Sequence, residues 1–202
     1  MMRVILASKS PRRREILAML GVPFSVLSAD ADETSAEHDP ALLVRELSLR
    51  KGRAARELLR ARGEWDAETL IIAADTVVAV GNEILGKPRD DADAARMLSL
   101  LSGKTHSVFS GVALFEGERE EAQSEETKVV FAPLSEDEIA HYVASGEPRD
   151  KAGAYAVQGH ASVFIEKIDG CFFNVVGLPV HKLYHMLAAW QEEAGFSFPA
   201  FF

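Results

Sequence analysis

With Cys171 as its single cysteine, the 202-residue chain cannot form an internal disulfide, which fits a reducing compartment. No stretch approaches the roughly 18 uninterrupted apolar residues of a membrane-spanning helix. The start, MMRVILASKSPRRR, turns polar too early for the apolar core of a secretory signal, so a cytoplasmic location is expected. Cations are also scarce: 22 Lys and Arg against 31 Asp and Glu give a formal net charge of −9. A surface of that sign is repelled by nucleic-acid phosphates and anionic membranes, and neither is an expected partner. No long linker, low-complexity tract or internal repeat interrupts the chain. Residues 1–202 therefore read as one domain, with 195–202 left unassigned.

What is present is unevenly placed. The first 14 residues carry Arg3, Lys9, Arg12, Arg13 and Arg14, and all the acids come after them. Residues 3–8 form a short apolar strand. In the following SPRRREILAMLG, Ser10 is an N-cap, Pro11 opens a helix and Gly21 ends it. Residues 24–28 predict a second strand, and ADADETSAEHD is an acidic loop. A long helix starts at Pro40, with Leu43, Leu47, Ala54, Leu58 and Leu59 at helical spacing. TLIIAADTVVAVG, residues 69–81, is a strand buried on both faces, and 82–85 form its hairpin partner. A helix over 90–101, strands over 105–116 and 121–132, and a capping-box helix from Ser135 follow. A glycine-punctuated stretch leads to two strands around SVFIEKIDGCFFNVV, and a last helix runs from Pro179 through Glu193. Helices and strands alternate, but not in strict βαβα order. The expected fold is α/β, a mixed twisted sheet flanked by helices, with two lobes around a cleft.

Several residues are out of place for packing alone. Asp75 interrupts IIAADTVVAV, where every other residue except Thr76 is apolar. A buried, unpaired carboxylate costs several kcal/mol, so Asp75 must meet a cation, a metal or hydrogen-bond donors. Lys51 lies on the apolar stripe of the long helix, where it either snorkels to water or turns into an internal polar site. Lys87, between Gly86 and Pro88, is equally ambiguous. The turn SKSPRRR offers the hydroxyls of Ser8 and Ser10, a helix N-terminus, and Arg12 and Arg13 as anion donors; a solvated basic helix face is the alternative. Glu33 and Asp75 are the natural carboxylate pair for a hard cation such as Mg²⁺. His181 and His185 stand four apart on a helix and read as a surface pair. Gly103, Lys104 and Thr105 imitate the end of a phosphate-binding loop, but Leu98 occupies its required first glycine.

These pieces occur in order in one known family. Through LASKSPRRREIL, the Asp32–Glu33 pair, Lys51, AADTVV, GKP, LSGKTHSV, SGEPRDKAGAYAVQG and NVVGLP, the chain resembles the Maf-like nucleoside triphosphate pyrophosphatases from residue 4 to about 190. Arg12, Thr76 and Gln158 match the branch acting on dTTP and UTP; the sister branch acting on 7-methyl-GTP has Trp, Gln and Glu there. The resemblance implies a fold like that of inosine triphosphate pyrophosphatase. It also implies hydrolysis between the α and β phosphates to a nucleoside monophosphate and pyrophosphate, a house-cleaning of the nucleotide pool. A divalent cation, Mg²⁺ or else Mn²⁺ or Co²⁺, is implied at Glu33 and Asp75. Asp75 is implied as proton acceptor, with Glu33, Lys51 and Lys87 as its catalytic companions. Ser8, Ser10, Arg12, Arg13, Thr76, Lys151 and Gln158 are implied as substrate contacts. A non-catalytic nucleotide-binding regulator linked to septum formation is the alternative reading. One feature matches no motif: four of the eleven phenylalanines fall in the last seven residues. Such a patch, left exposed, favours association, and a homodimer is among the expectations.

Overall fold

The structure, a computed structural model, describes residues 2–194, with side chains described through 191. The Phe-rich end lies outside the described residues. In chain order the elements are β1 (Arg3–Ala7), α1 (Pro11–Met19), β2 (Phe24–Val26), α2 (Pro40–Ala61), β3 (Thr69–Val80), β4 (Glu83–Leu85), α3 (Asp91–Leu101), β5 (Thr105–Glu116), β6 (Arg119–Phe131), α4 (Glu136–Ala144), β7 (Ile165–Asp169), α5 (Phe172–Val176) and α6 (Val180–Ala194). Two short 3-10 helices, Ala152–Ala154 and His160–Phe164, lie between α4 and β7. Among the described residues no helix is long and apolar enough to cross a membrane.

One mixed seven-stranded sheet has the order β2-β1-β3-β5-β6-β7, with β4 paired to β3. β1 runs parallel to both β2 and β3, and the other pairings are antiparallel. The long strands β3 and β5 are apolar on both faces where they cross the centre, because helices cover both sides. One core joins Leu70, Ile72, Ala74 and Val78 of β3 to α1, α3, α4 and α6. The other joins Ile71 and Ala73 of β3 and Phe115 of β5 to Ala55 and Leu59 of α2.

The helix starts follow the expected chemistry. Asp39 accepts from the backbone N–H groups of Ala41 and Leu42 at the head of α2. Ser135 and Glu138 form the reciprocal capping box of α4. Along its length α2 is tied to β6 by ion pairs of Arg53 and Arg56 with Glu120, so part of the surplus acid serves to seat this helix.

One expected strand is a helix instead. Residues 165–169 form β7, but FFNVV is the five-residue α5. Its aromatic and β-branched residues favour strand by propensity. The deciding contact is polar: buried Asn174 donates through Nδ2 to Val108 O (2.9 Å) and Thr127 Oγ1 (3.0 Å), pinning the turn across β5 and β6. The second strand of the β5–β6 hairpin also begins two residues earlier than expected, at Arg119.

Candidate active site

The parallel partner of β3 ends early. β1 pairs with Thr69–Ala73 and β4 with Val78–Val80, so neither strand covers the edge of residues 74–77. The chain leaves β1 at Ala7, makes the turn Ser8–Ser10 and enters α1, so the uncovered edge faces the N-terminus of a helix. A cleft of about 730 Å³ opens there, within the usual range for small-molecule sites. Its walls include Ser8, Ser10, Arg12, Arg13, Glu33, Lys51, Asp75, Thr76, Lys87, Lys151 and Gln158. The fold thus gathers every sequence-derived candidate into one cavity.

Asp75 sits in mid-strand, paired in register with Gly111 of β5, and is 8 % exposed. It shares the α2 face of β3 with Ile71 and Ala73. Lys51 does not snorkel: its Nζ donates to Asp75 Oδ1 and lies 2.9 Å from Glu33 Oε1. The buried carboxylate therefore has its cation, and Lys51 joins a strand residue to a loop residue 42 positions away in sequence (Glu33 to Asp75). Burial pushes the Glu33 carboxyl up. The hydrogen bond and charge of Lys51, with the fields of Lys87 and Arg13, outweigh that and hold it below the usual carboxylate range.

Helix α2 can come this close because of two glycines. A Cβ on Gly111 would stand 2.1 Å from Val44 O, and one on Gly52 would stand 1.9 Å from the Phe115 ring. Residue type at these two positions, one opposite Asp75 in the sheet and one next to Lys51 in the chain, thus sets how near Lys51 comes to Asp75.

At the head of α1, Ser10 is the N-cap with extended backbone, but its side chain makes no capping bond, so its hydroxyl stays available beside the first-turn amides. Ser8 Oγ accepts from Ser10 N (3.2 Å) and Arg13 Nη1 (3.3 Å). Arg13 is held by the protein itself: Nε donates to Gly177 O (2.7 Å) and Nη2 to Thr76 Oγ1 (3.0 Å). Burial lowers the Arg13 pKa, opposed by Asp75 and Glu33 and assisted by Arg12; a guanidinium remains charged regardless. Arg12 and Lys87 form no hydrogen bond or ion pair with described residues, and their cationic groups are available to an anion.

The opposite wall is the loop after α4. Lys151 Nζ lies 3.0 Å from Asp150 Oδ1, and Gln158 is exposed. The loop is fastened from behind: Gly153 N donates to Gly86 O (3.0 Å), Ala156 N to Tyr142 Oη (3.2 Å), and Glu147 accepts from His160 N (3.1 Å). Tyr155 Oη and His106 Nε2 are 2.9 Å apart and buried. Burial pushes the His106 pKa down to about 4, so the ring is neutral, with Nε2 hydrogen-bonded to Tyr155 Oη. Tyr155→Phe leaves that ring nitrogen unsatisfied and is expected to cost about 1–2 kcal/mol in urea unfolding. Amide exchange should rise first in residues 152–159. An unchanged exchange pattern there would show that Tyr155 does not fasten the loop.

Sequence reasoning passed over His106, Ser110 and Asn174. All three are buried polar residues, and Ser110 and Asn174 interrupt apolar runs just as Asp75 does, which is the signal that marks them.

The two carboxylates, Glu33 and Asp75, converge on one ammonium and so are within reach of a single cation. Among the described residues no group of three or more His, Cys, Asp or Glu is arranged for a metal. The pair therefore fits a hard divalent ion that takes its other oxygens from phosphate and water.

Fold and site together define an α/β protein with a mixed sheet and a cationic, carboxylate-bearing cleft at the end of a parallel strand. Residues 3–190 match the family model for Maf-like protein, and the chain belongs to that family. It is 49 % identical over 188 residues to the dTTP/UTP pyrophosphatase of Symbiobacterium thermophilum, covering 93 % of each chain. It is 46 % identical to the dTTP/UTP pyrophosphatase of Carboxydothermus hydrogenoformans, covering 94 % of this chain and 99 % of that one. Among solved structures, the Ham1 protein of Staphylococcus aureus superposes with a TM-score of 0.51 at 14 % identity, covering 95 % of this chain and 99 % of that one; that likeness supports the fold.

Proposed function

We propose that this protein hydrolyses the α–β phosphoanhydride of dTTP and UTP, with a divalent cation, to the nucleoside monophosphate and pyrophosphate. The observation that carries the reading is the Glu33–Lys51–Asp75 cluster in a cation-lined cleft. Its support is the shared name of relatives aligned over nearly the whole chain. Water adds across the anhydride, its oxygen going to one phosphorus while the bridging oxygen leaves with the other.

Asp75 takes the proton from the attacking water, and Lys51, in contact with that carboxylate, keeps it oriented between turnovers. Arg12, Arg13, Lys87 and Lys151, with the hydroxyls of Ser8 and Ser10 and the α1 amides, hold the triphosphate. This is the positioning and charge stabilisation that dominates phosphoryl chemistry. Glu33 and Asp75 would hold Mg²⁺, Mn²⁺ or Co²⁺, whose chemistry is to neutralise phosphate oxygens and polarise those bound to it. Gln158 has an amide that donates and accepts, suited to a pyrimidine edge, and Thr76 adds a hydroxyl oxygen.

Incubation with dTTP or UTP and Mg²⁺ is expected to release pyrophosphate in a one-to-one ratio with monophosphate. Chelation should abolish the release, and kcat/KM should favour dTTP and UTP over CTP, purine triphosphates and 7-methyl-GTP. Tight nucleotide binding with no pyrophosphate under any of the three metals would leave a sensor in place of an enzyme.

A further inference from the structure

Asp75 and Thr76 are neighbours on β3 and face opposite sides of the sheet. Asp75 meets α2; Thr76 turns toward α1 and α5. There it joins a line of hydrogen bonds: Arg13 Nη2 to Thr76 Oγ1 at 3.0 Å, Thr76 Oγ1 to Ser110 Oγ at 2.8 Å, and Ser110 Oγ to Asn174 O at 2.9 Å. The β3–β5 register sets Thr76 directly opposite Ser110, so the two hydroxyls meet by strand pairing.

The proton positions along this line follow from its ends. A guanidinium only donates, a carbonyl only accepts, and each hydroxyl owns one proton. Ser110 gives its proton to Asn174 O and must accept from Thr76. Thr76 gives its proton to Ser110 and accepts from Arg13. The other acceptor within reach of Thr76, Gly177 O, is 3.5 Å away and already takes Arg13 Nε at 2.7 Å. Ser110 and Asn174 are both fully buried, and Asn174 is anchored to β5 and β6 through its own amide. The far end of the chain is therefore fixed to the sheet.

Arg13 accordingly directs three of its five N–H donors at protein: Gly177 O, Ser8 Oγ and Thr76 Oγ1. Two remain. We infer that Ser110 is a positioning residue which, through Thr76, locks the Arg13 guanidinium so that its two remaining N–H groups meet the substrate's phosphate oxygens in one orientation. A consequence for Thr76 is that its hydroxyl faces a ligand as an acceptor only. The inference rests on the pyrophosphatase reading for its kinetic test, but not for its spectroscopic one.

Pyrophosphate release from dTTP with Mg²⁺ is compared in the wild type, Ser110→Ala, Thr76→Val and the double variant. Ser110→Ala should lower kcat about tenfold with KM changed much less, since a small misalignment of a positioning group acts on the reacting geometry. Thr76→Ser should recover most of the kcat that Thr76→Val loses. The double variant should lose no more than Thr76→Val alone, because both break one chain. In parallel, the ¹⁵N-resolved Arg13 Nη2–H signal, the donor to Thr76, should be protected from solvent exchange in the wild type and lose that protection in Ser110→Ala. A wild-type kcat in Ser110→Ala, or additive losses in the double variant, overturns the inference. If the wild type itself releases no pyrophosphate, the pyrophosphatase reading fails, and the Arg13 signal alone decides: protection that persists in Ser110→Ala overturns the chain.

Discussion

Asp75→Asn is expected to lower the rate of pyrophosphate release by about 10²–10⁴-fold, the usual contribution of a positioned general base, while leaving nucleotide binding intact. The substitution keeps volume and hydrogen-bonding capacity but removes the charge and the proton acceptor. It also removes a negative charge from the wall of a cleft meant for a polyanion, so metal-free affinity for a non-hydrolysable dTTP analogue should be unchanged or higher. That opposition of signs separates a catalytic carboxylate from a merely structural one. The fold should survive, because Lys51 retains Glu33 at 2.9 Å and asparagine does not leave an uncompensated buried carboxylate. Calorimetry of the analogue, set beside steady-state pyrophosphate release, reads both arms. Turnover within a few-fold of wild type would remove Asp75 from the role of base.

Asp75 was legible in the sequence because a carboxylate inside an apolar strand has few explanations. The uncovered stretch of β3 that exposes it was not, since it depends on where β1 stops pairing and β4 begins. Lys51 shows the intermediate case. Helical spacing puts it on the buried stripe, but the same spacing is compatible with a side chain that reaches for water; only the approach of α2 to β5 decides, and that approach is a tertiary fact. FFNVV shows how local preference misleads: its residues favour strand, and one buried amide bridging two other strands makes it a helical turn. The Arg13–Thr76–Ser110 chain lay furthest from reach. Its members are 63 and 34 positions apart in sequence and are brought together by strand register, which no local pattern encodes. The loop carrying Lys151 and Gln158 was legible as glycine-punctuated, while its fastening by His106, Tyr142 and Glu147 became visible only with the sheet assembled.

The second large effect comes from the residue opposite Asp75 in the sheet. Gly111→Ala is expected to destabilise the protein by about 3 kcal/mol or more, since overpacking alone costs about 1–3 kcal/mol and the Lys51–Asp75 contact is strained as well. The added methyl would stand 2.1 Å from Val44 O and 2.5 Å from Val44 C. Those are backbone atoms inside α2, so no rotamer relieves the clash and the helix itself must move off the sheet. Restoring ordinary contact requires a shift of about 1 Å, a displacement that can cost a hundredfold in rate when it falls on a catalytic group. Lys51 lies two turns further along the same helix and would be drawn away from Asp75. Urea unfolding and kcat on the refolded protein measure the two consequences. Gly117→Ala is the comparison: it sits at the tip of the β5–β6 hairpin with φ +53° and nothing within 4 Å of the new Cβ. It should cost only the left-handed strain of about 1–2 kcal/mol and leave kcat alone. Loss of stability in Gly111→Ala with full kcat in the folded fraction would mean that the seat of α2 does not align Lys51. Loss of both, against an untouched rate in Gly117→Ala, would tie the reactivity of Asp75 to the absence of one methyl group on the strand beside it.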